Sequence, residues 1–168
     1  MTARSYTLSI ATGALVLALT SCTPAEITDA PTASTVGTVV AVVDGDTIDV
    51  QTSTGEERVR LIGINTPEIS RDGGTDDCYA QEARTYLDQL VYGHDVELVS
   101  DPTQADADRY GRLLRHVLID GQSAAQLALE AGAGTEYTYD RPYDHRDDYL
   151  DAQSRAQSMG VGLWSACS

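Results

Sequence analysis

Lysine is absent from this chain of 168 residues: all 11 basic residues are arginine, against 26 aspartates and glutamates, and the formal net charge is −15. Without lysine there is no P-loop of the kind that cradles nucleotide phosphates. There is also no broad basic face, the usual source of affinity for a polyanion. Net charge governs solubility and association rate and not the chemistry of a site, so local arginine clusters have to supply any anion contact, and binding through them should be weak and salt-sensitive. No Gly-x-Ser-x-Gly occurs, and His94, His116 and His145 are scattered, which argues against serine or cysteine hydrolase chemistry. No two of the 3 cysteines have the spacing of zinc ligands. Internal repeats are missing too. The longest apolar run, Leu8 to Leu19, is too short and too rich in small residues for a comfortable membrane span.

That run has another reading. It follows Arg4 and ends in Leu19-Thr20-Ser21-Cys22, the pattern of a bacterial lipobox. Residues 1–21 are expected to be a lipoprotein signal peptide, cut before Cys22, whose thiol is then lipidated. An ordinary secretory signal with a chance cysteine is the alternative. Residues 22–35 carry two prolines and small polar side chains and read as a flexible tether. The expected location is the outer face of the cell membrane, with release into the medium left open. If Cys22 carries lipid, Cys78 and Cys167 remain as a pair in an oxidising compartment. A bridge between them would tie the C-terminal tail to the first helix and add about 4–5 kcal/mol at most. Two free thiols are the other possibility.

Residues 36–168 are long enough for one domain with its own core. Strand patterns run over 36–43, 47–51, 58–64, 96–100 and 113–119. Helical patterns cover 77–92, with Ala80, Ala83, Leu87, Leu90 and Val91 on one face, then a segment opened by a possible capping box at Ser123 and closed at Gly132, and 144–159, with Tyr149, Ala152, Ala156 and Met159 as its apolar stripe. This is a mainly β, α+β pattern, and five short strands with glycine turns fit a small barrel of the OB kind with three helices. A monomer is expected.

Three segments carry the chemistry. Val59 to Glu68 (VRLIGINTPE) is an apolar strand broken at Thr66-Pro67, with an arginine inside it that needs an anion and a glutamate on a stiff turn that could serve as a base. Val42 to Val50 contains Asp44-Gly45-Asp46-Thr47, a hairpin turn holding two carboxylates, an oxygen-rich site suited to a hard cation. Asp108-Arg109-Tyr110-Gly111-Arg112 is a basic, aromatic pentad. Together, in this order and at these intervals, VDGDT, VRLIGINTPE and DRYGR resemble the staphylococcal nuclease (thermonuclease) family, calcium-dependent nucleases on an OB-fold. The resemblance runs from about Val36 to Trp164.

The resemblance implies Arg60, Glu68 and Arg112 as catalytic residues, and Asp46, Asn65 and the Thr66 carbonyl around Ca2+, with Asp44 behind them. It implies Tyr110, Tyr137 and Tyr139 as substrate contacts, and DNA and RNA as substrates cut without sugar specificity to leave 3′-phosphate ends. Asn65 stands where the best-known members carry a second calcium-binding aspartate, so calcium affinity should be lower. The competing reading is a catalytically weak or inactive OB module that holds nucleic acid at the cell surface. Retention of Asp46, Arg60, Glu68 and Arg112 together argues against it, because a pure binder needs no such set, and calcium-dependent nicking of plasmid DNA separates the two.

Overall fold

The computed structural model describes residues 33–167; the segment expected to be a signal peptide, Cys22 and most of the expected tether lie outside the described residues. The chain forms β1 (Ser34–Asp44), β2 (Thr47–Thr52), β3 (Gly55–Leu61), β4 (Gly63–Asn65), α1 (Ala80–Val91), β5 (Asp95–Val99), β6 (Leu113–Ile119), β7 (Gln122–Ser123), α2 (Ala124–Glu130), β8 (Thr135–Tyr137), α3 (Arg146–Met159) and the short α4 (Leu163–Ala166). Strands β3, β2, β1, β5 and β6 neighbour one another in that order, and β3 also pairs with β6, which closes a five-stranded barrel. The closing pair is parallel, with Arg60 beside Leu114, while the other barrel pairs are antiparallel. This is the OB-type α+β fold expected from the strand pattern.

Burial alternates along β1 and β5, whereas nearly all of β2 and the end of β3 are buried. Val39, Val42, Ile48, Val50, Val59, Leu61, Val96, Leu98 and Val117 all point inward and are buried. They form one cluster with Ala83, Leu87 and Val91 of α1, Ala125, Ala128 and Leu129 of α2, and Tyr149 and Ala152 of α3. Each buried aliphatic side chain contributes about 1.5–3 kcal/mol, and the parallel pair costs nothing in exposed edges, because closure removes them.

Several expectations need correction. The strand expected over 58–64 is two: Ile62 lies between β3 and β4, and Gly63, which opens β4, sits at φ 85°. A Cβ there would lie 2.6 Å from the rings of Tyr143 and Tyr149, so glycine is required twice over, by backbone and by space. The turn lets β4 leave the barrel and pair with β8 in a separate two-stranded sheet. Helix α1 starts at Ala80, three residues later than expected, because Asp77 is occupied in the loop before it. The Ser123 capping box is half formed: Ser123 Oγ accepts from the Gln126 amide, but the Gln126 side chain turns to Glu130. Met159, placed on the buried stripe of α3, is 74% exposed, since burial stops at Ala156. Among the described residues no helix is long and apolar enough to cross a membrane.

Candidate active site

The β1–β2 turn and the end of β3 are brought together by register. Thr47 pairs with Arg60, and the Leu61 amide donates to the Asp46 carbonyl (2.9 Å). The Thr66 turn packs onto the same hairpin: a Cβ on Gly45 would lie 2.8 Å from Thr66 Oγ1, so only glycine admits the close approach. The Thr66 amide donates to Asp46 Oδ2 (3.1 Å), and Asp46 Oδ1 accepts from Thr47 Oγ1 (2.9 Å). Asp46 is therefore fixed by both neighbours before any ligand is considered.

Arg60 finds the anion that its burial demands. Its Nη2 contacts Asp46 Oδ2 at 3.0 Å and donates to the Asn65 amide oxygen at 3.2 Å, while Nη1 donates to the carbonyls of Leu61 (2.9 Å) and Ile64 (2.7 Å). Burial lowers the Arg60 pKa, with the Asp46 charge pulling the other way. Such a pair is costly to break from one side, because the remaining charge is left buried.

Asp44 is also buried. One of its oxygens accepts from Arg71 Nη2 (2.9 Å), and Oδ1 has no hydrogen-bond partner. A buried, unpartnered carboxylate oxygen beside a second buried carboxylate fits a hard cation, which would satisfy it. Among the described residues no three His, Cys, Asp or Glu side chains gather into a metal cluster. The oxygens that could hold such a cation are those of Asp46 and the Asn65-Thr66 turn, with Asp44 behind them, a set that would fit calcium at modest affinity.

Glu68 is held by its backbone. Its amide donates to Asp77 Oδ2 (3.1 Å), and its carbonyl accepts from the Asp77 amide (3.0 Å). Burial pushes its carboxyl above the usual range, Asp46 and Asp44 add to that, and Arg60 and Arg112 oppose it. Next to Asp77 stands Cys78, which is bridged to Cys167.

Arg112 comes from the residue before β6. Its Nε and Nη2 both bond Asp108 Oδ2 (2.7 Å each), and Asp108 Oδ1 accepts the amides of Tyr110 and Arg112 (2.9 and 3.0 Å). Burial raises the Asp108 pKa, but these hydrogen bonds outweigh it and hold the carboxyl below its usual range. The Tyr110 ring lies under Arg109 and Arg112, 4.7 and 5.5 Å from their guanidinium carbons.

Arg60, Glu68, Arg112, Tyr110, Tyr137 and Tyr139 border one cleft of about 420 Å³. Pairing of Gly63 with Tyr137 carries Tyr137 to its edge, with Tyr139 6.3 Å away ring to ring. The catalytic and tyrosine residues expected from sequence thus meet around one opening. Asn65 lies at its edge with its amide oxygen turned to Arg60, and Thr66 is buried behind.

Two further residues brace this arrangement and were not expected: Asp108, which holds Arg112, and Asp77, which holds Glu68. Asp108 had a local signal, its position four residues before Arg112. Asp77 had none.

Residues 58–166 match the family model described as "Staphylococcal nuclease homologue". The chain belongs to the staphylococcal nuclease family. It is 35% identical to an uncharacterized endonuclease of Escherichia coli O157:H7 over 130 residues, which is 77% of this chain and 76% of that protein. It is 28% identical to the thermonuclease of Staphylococcus hyicus over 127 residues, 76% of this chain and 74% of that one. With the SPbeta prophage-derived endonuclease YokF of Bacillus subtilis the identity is 32% over 124 residues, 73% of this chain but 42% of the relative's length. The staphylococcal nuclease match runs from within β3 to the end of α4 and so includes Arg60, Glu68 and Arg112; the Asp44–Asp46 turn lies ahead of it, beyond β2.

Proposed function

We propose that the protein is a calcium-dependent nuclease that hydrolyses phosphodiester bonds of DNA and RNA, leaving 3′-phosphate and 5′-hydroxyl ends. One observation carries the reading: Glu68, Arg60 and Arg112 border a single cleft against two buried aspartates, one of which has an unsatisfied oxygen. Membership of a family whose relatives are named endonuclease and thermonuclease supports it.

The residues divide the work. Glu68, with its raised pKa and anchored backbone, accepts a proton from the attacking water. Arg112, braced by Asp108, presents a planar fork to the phosphoryl oxygens and tightens on them as charge develops. Arg60 does the same from the barrel side, exchanging Asn65 or Asp46 for a phosphoryl oxygen. Bound at Asp46 and the Asn65-Thr66 turn, with Asp44 behind, calcium would supply a Lewis acid for the same oxygens. Tyr110, Tyr137 and Tyr139 offer exposed faces on which bases stack without regard to sequence. The chain is exported and held outside the cell by lipid on Cys22 in this reading, and it acts as a monomer.

The test uses protein starting at Ala25 with single-stranded DNA, in calcium and in EDTA. Cleavage should require calcium, and Glu68→Gln should lose about 10²-fold or more in rate with an unchanged melting temperature. Full activity in a folded Glu68→Gln protein removes Glu68 as the base. Tight DNA binding with no cleavage in calcium would make the protein an OB-fold binding module instead.

A further inference from the structure

Glu68 and Arg112 stand between two hollows. On one side is the tyrosine-rimmed cleft. On the other is a smaller recess of about 170 Å³, lined by these same two residues together with Val43, Asp44, Thr47, Arg58 and Arg71. Three of the chain's 11 arginines thus border a single small space in a molecule of net charge −15.

These arginines are built forward. Arg58 bonds both oxygens of Asp49 through Nε and Nη2 (2.7 and 2.9 Å), and Arg71 bonds Asp44 (2.9 Å). In each pair the carboxylate is buried and the arginine is open: side-chain exposures are 51% against 10% for Arg58–Asp49 and 57% against 9% for Arg71–Asp44. An ordinary surface ion pair has both partners in water and gains little. Here a sunken carboxylate fixes the near side of each guanidinium and leaves its far side to solvent. Among the described residues, Arg58 Nη1 and Arg71 Nε and Nη1 donate to no protein acceptor. Fixed arginines with spare donors recognise phosphate through charge-assisted, forked hydrogen bonds.

We propose that this recess is a second phosphate subsite, in which Arg58 and Arg71 bind the phosphate next to the scissile one, on the side away from Tyr137 and Tyr139. The proposal rests on the nuclease reading and deepens it. A strand crossing between the hollows places one phosphate at Glu68 and Arg112, its nucleoside against the tyrosines, and the next phosphate in the recess. A bond inside a strand fills both hollows and a bond at one end fills only one, so the site favours internal cleavage.

Three substrates with one cleavable bond test it: thymidylyl-thymidine, and the same dinucleotide carrying an extra phosphate at its 5′ or at its 3′ end. In the wild type, one of the two added phosphates should raise kcat/KM about tenfold through the recess. Arg58→Gln and Arg71→Gln should each cut that gain to about twofold or less, while any gain from the other added phosphate persists.

If neither added phosphate speeds the wild type, or if both variants keep every gain, the subsite is rejected. It is also rejected if the variants lose activity on all three substrates alike. Calcium affinity, titrated by calorimetry for each variant, separates a path through Asp44. Loss in Arg71→Gln alone, accompanied by altered calcium binding, assigns the effect to Asp44 and rejects the recess. A wild type that cuts no oligonucleotide in calcium overturns the nuclease reading itself, a failure distinct from cleavage that ignores the added phosphate.

Discussion

Arg60 Nη2 touches Asp46 and Asn65 at once, so the identity of residue 65 sets how firmly that guanidinium is held. Replacing the amide with a carboxylate adds an anionic oxygen beside Asp46. Repulsion between two acids would ordinarily weaken the protein in the absence of calcium, but here an arginine nitrogen lies against both and offsets it. Asn65→Asp is therefore expected to bind calcium more tightly, to reach half-maximal activity at lower calcium, and to keep its calcium-free melting temperature. Calorimetric titration of both proteins decides it: equal calcium affinity would remove Asn65 from the coordination shell. Most of the residues at this scale were legible in the sequence, because the three motifs carry them at fixed intervals. Arg71 was not: its pairing depends on which carboxylate the barrel buries behind it, and no local pattern encodes that.

At the scale of elements, the segment from Thr66 to Ala80 matters most. It has little secondary structure of its own and is held by the Thr66 amide on Asp46, the Glu68–Asp77 hydrogen-bond pair, the Arg71–Asp44 ion pair and the Cys78–Cys167 bridge. The bridge joins residues 89 apart and anchors the chain one position beyond the residue that fixes Glu68. Reduction should therefore cost activity as well as stability. With a thiol reductant, or in the paired substitution Cys78→Ser with Cys167→Ser, kcat should fall about tenfold, the scale of a displaced catalytic group, and the melting temperature should drop. Undiminished kcat in protein shown by mass spectrometry to be fully reduced would uncouple the bridge from Glu68. The pairing of the two cysteines followed from compartment and count. Its connection to Glu68 did not, because Asp77 looks from sequence like the first turn of a helix and is spent instead on the loop.

For the molecule as a whole, five strands and three helices were readable from alternation, helical period and glycine stops. The pieces that escaped, β4, β7, β8 and α4, are each 2 to 4 residues long, too short to show a period. A different long-range tie governs behaviour in acid. Buried Asp101 accepts from the Thr103 amide and hydroxyl (2.8 and 2.7 Å) and from the Asp144 amide (2.8 Å), and it contacts His116 Nε2 at 3.1 Å, joining the end of β5 to β6 and the approach to α3. Burial alone would raise its pKa, but these hydrogen bonds prevail and lower it. A carboxylate whose folded pKa is depressed gives stability that is present above its unfolded value, near 4, and is lost as pH falls through the folded one. Asp101→Ala should thus cost about 2–4 kcal/mol at pH 7 and progressively less below pH 4. Urea unfolding at both pH values measures it, and an equal cost at both would deny the carboxylate this role.

The parallel seam between β3 and β6 has one more consequence. Arg60 lies on one side of it and Arg112 just ahead of the other, so neither arginine meets its counterpart until the barrel shuts. A chain severed in the loop near Gly73 and Gly74 would carry Asp46, Arg60 and Glu68 on one fragment and Arg112 on the other. Each fragment alone would be silent, and activity would return only on reassembly. The molecule is in this sense a coincidence detector for its own completion: every turnover reports a closed barrel, and a partly translated or still unfolded copy cannot cut.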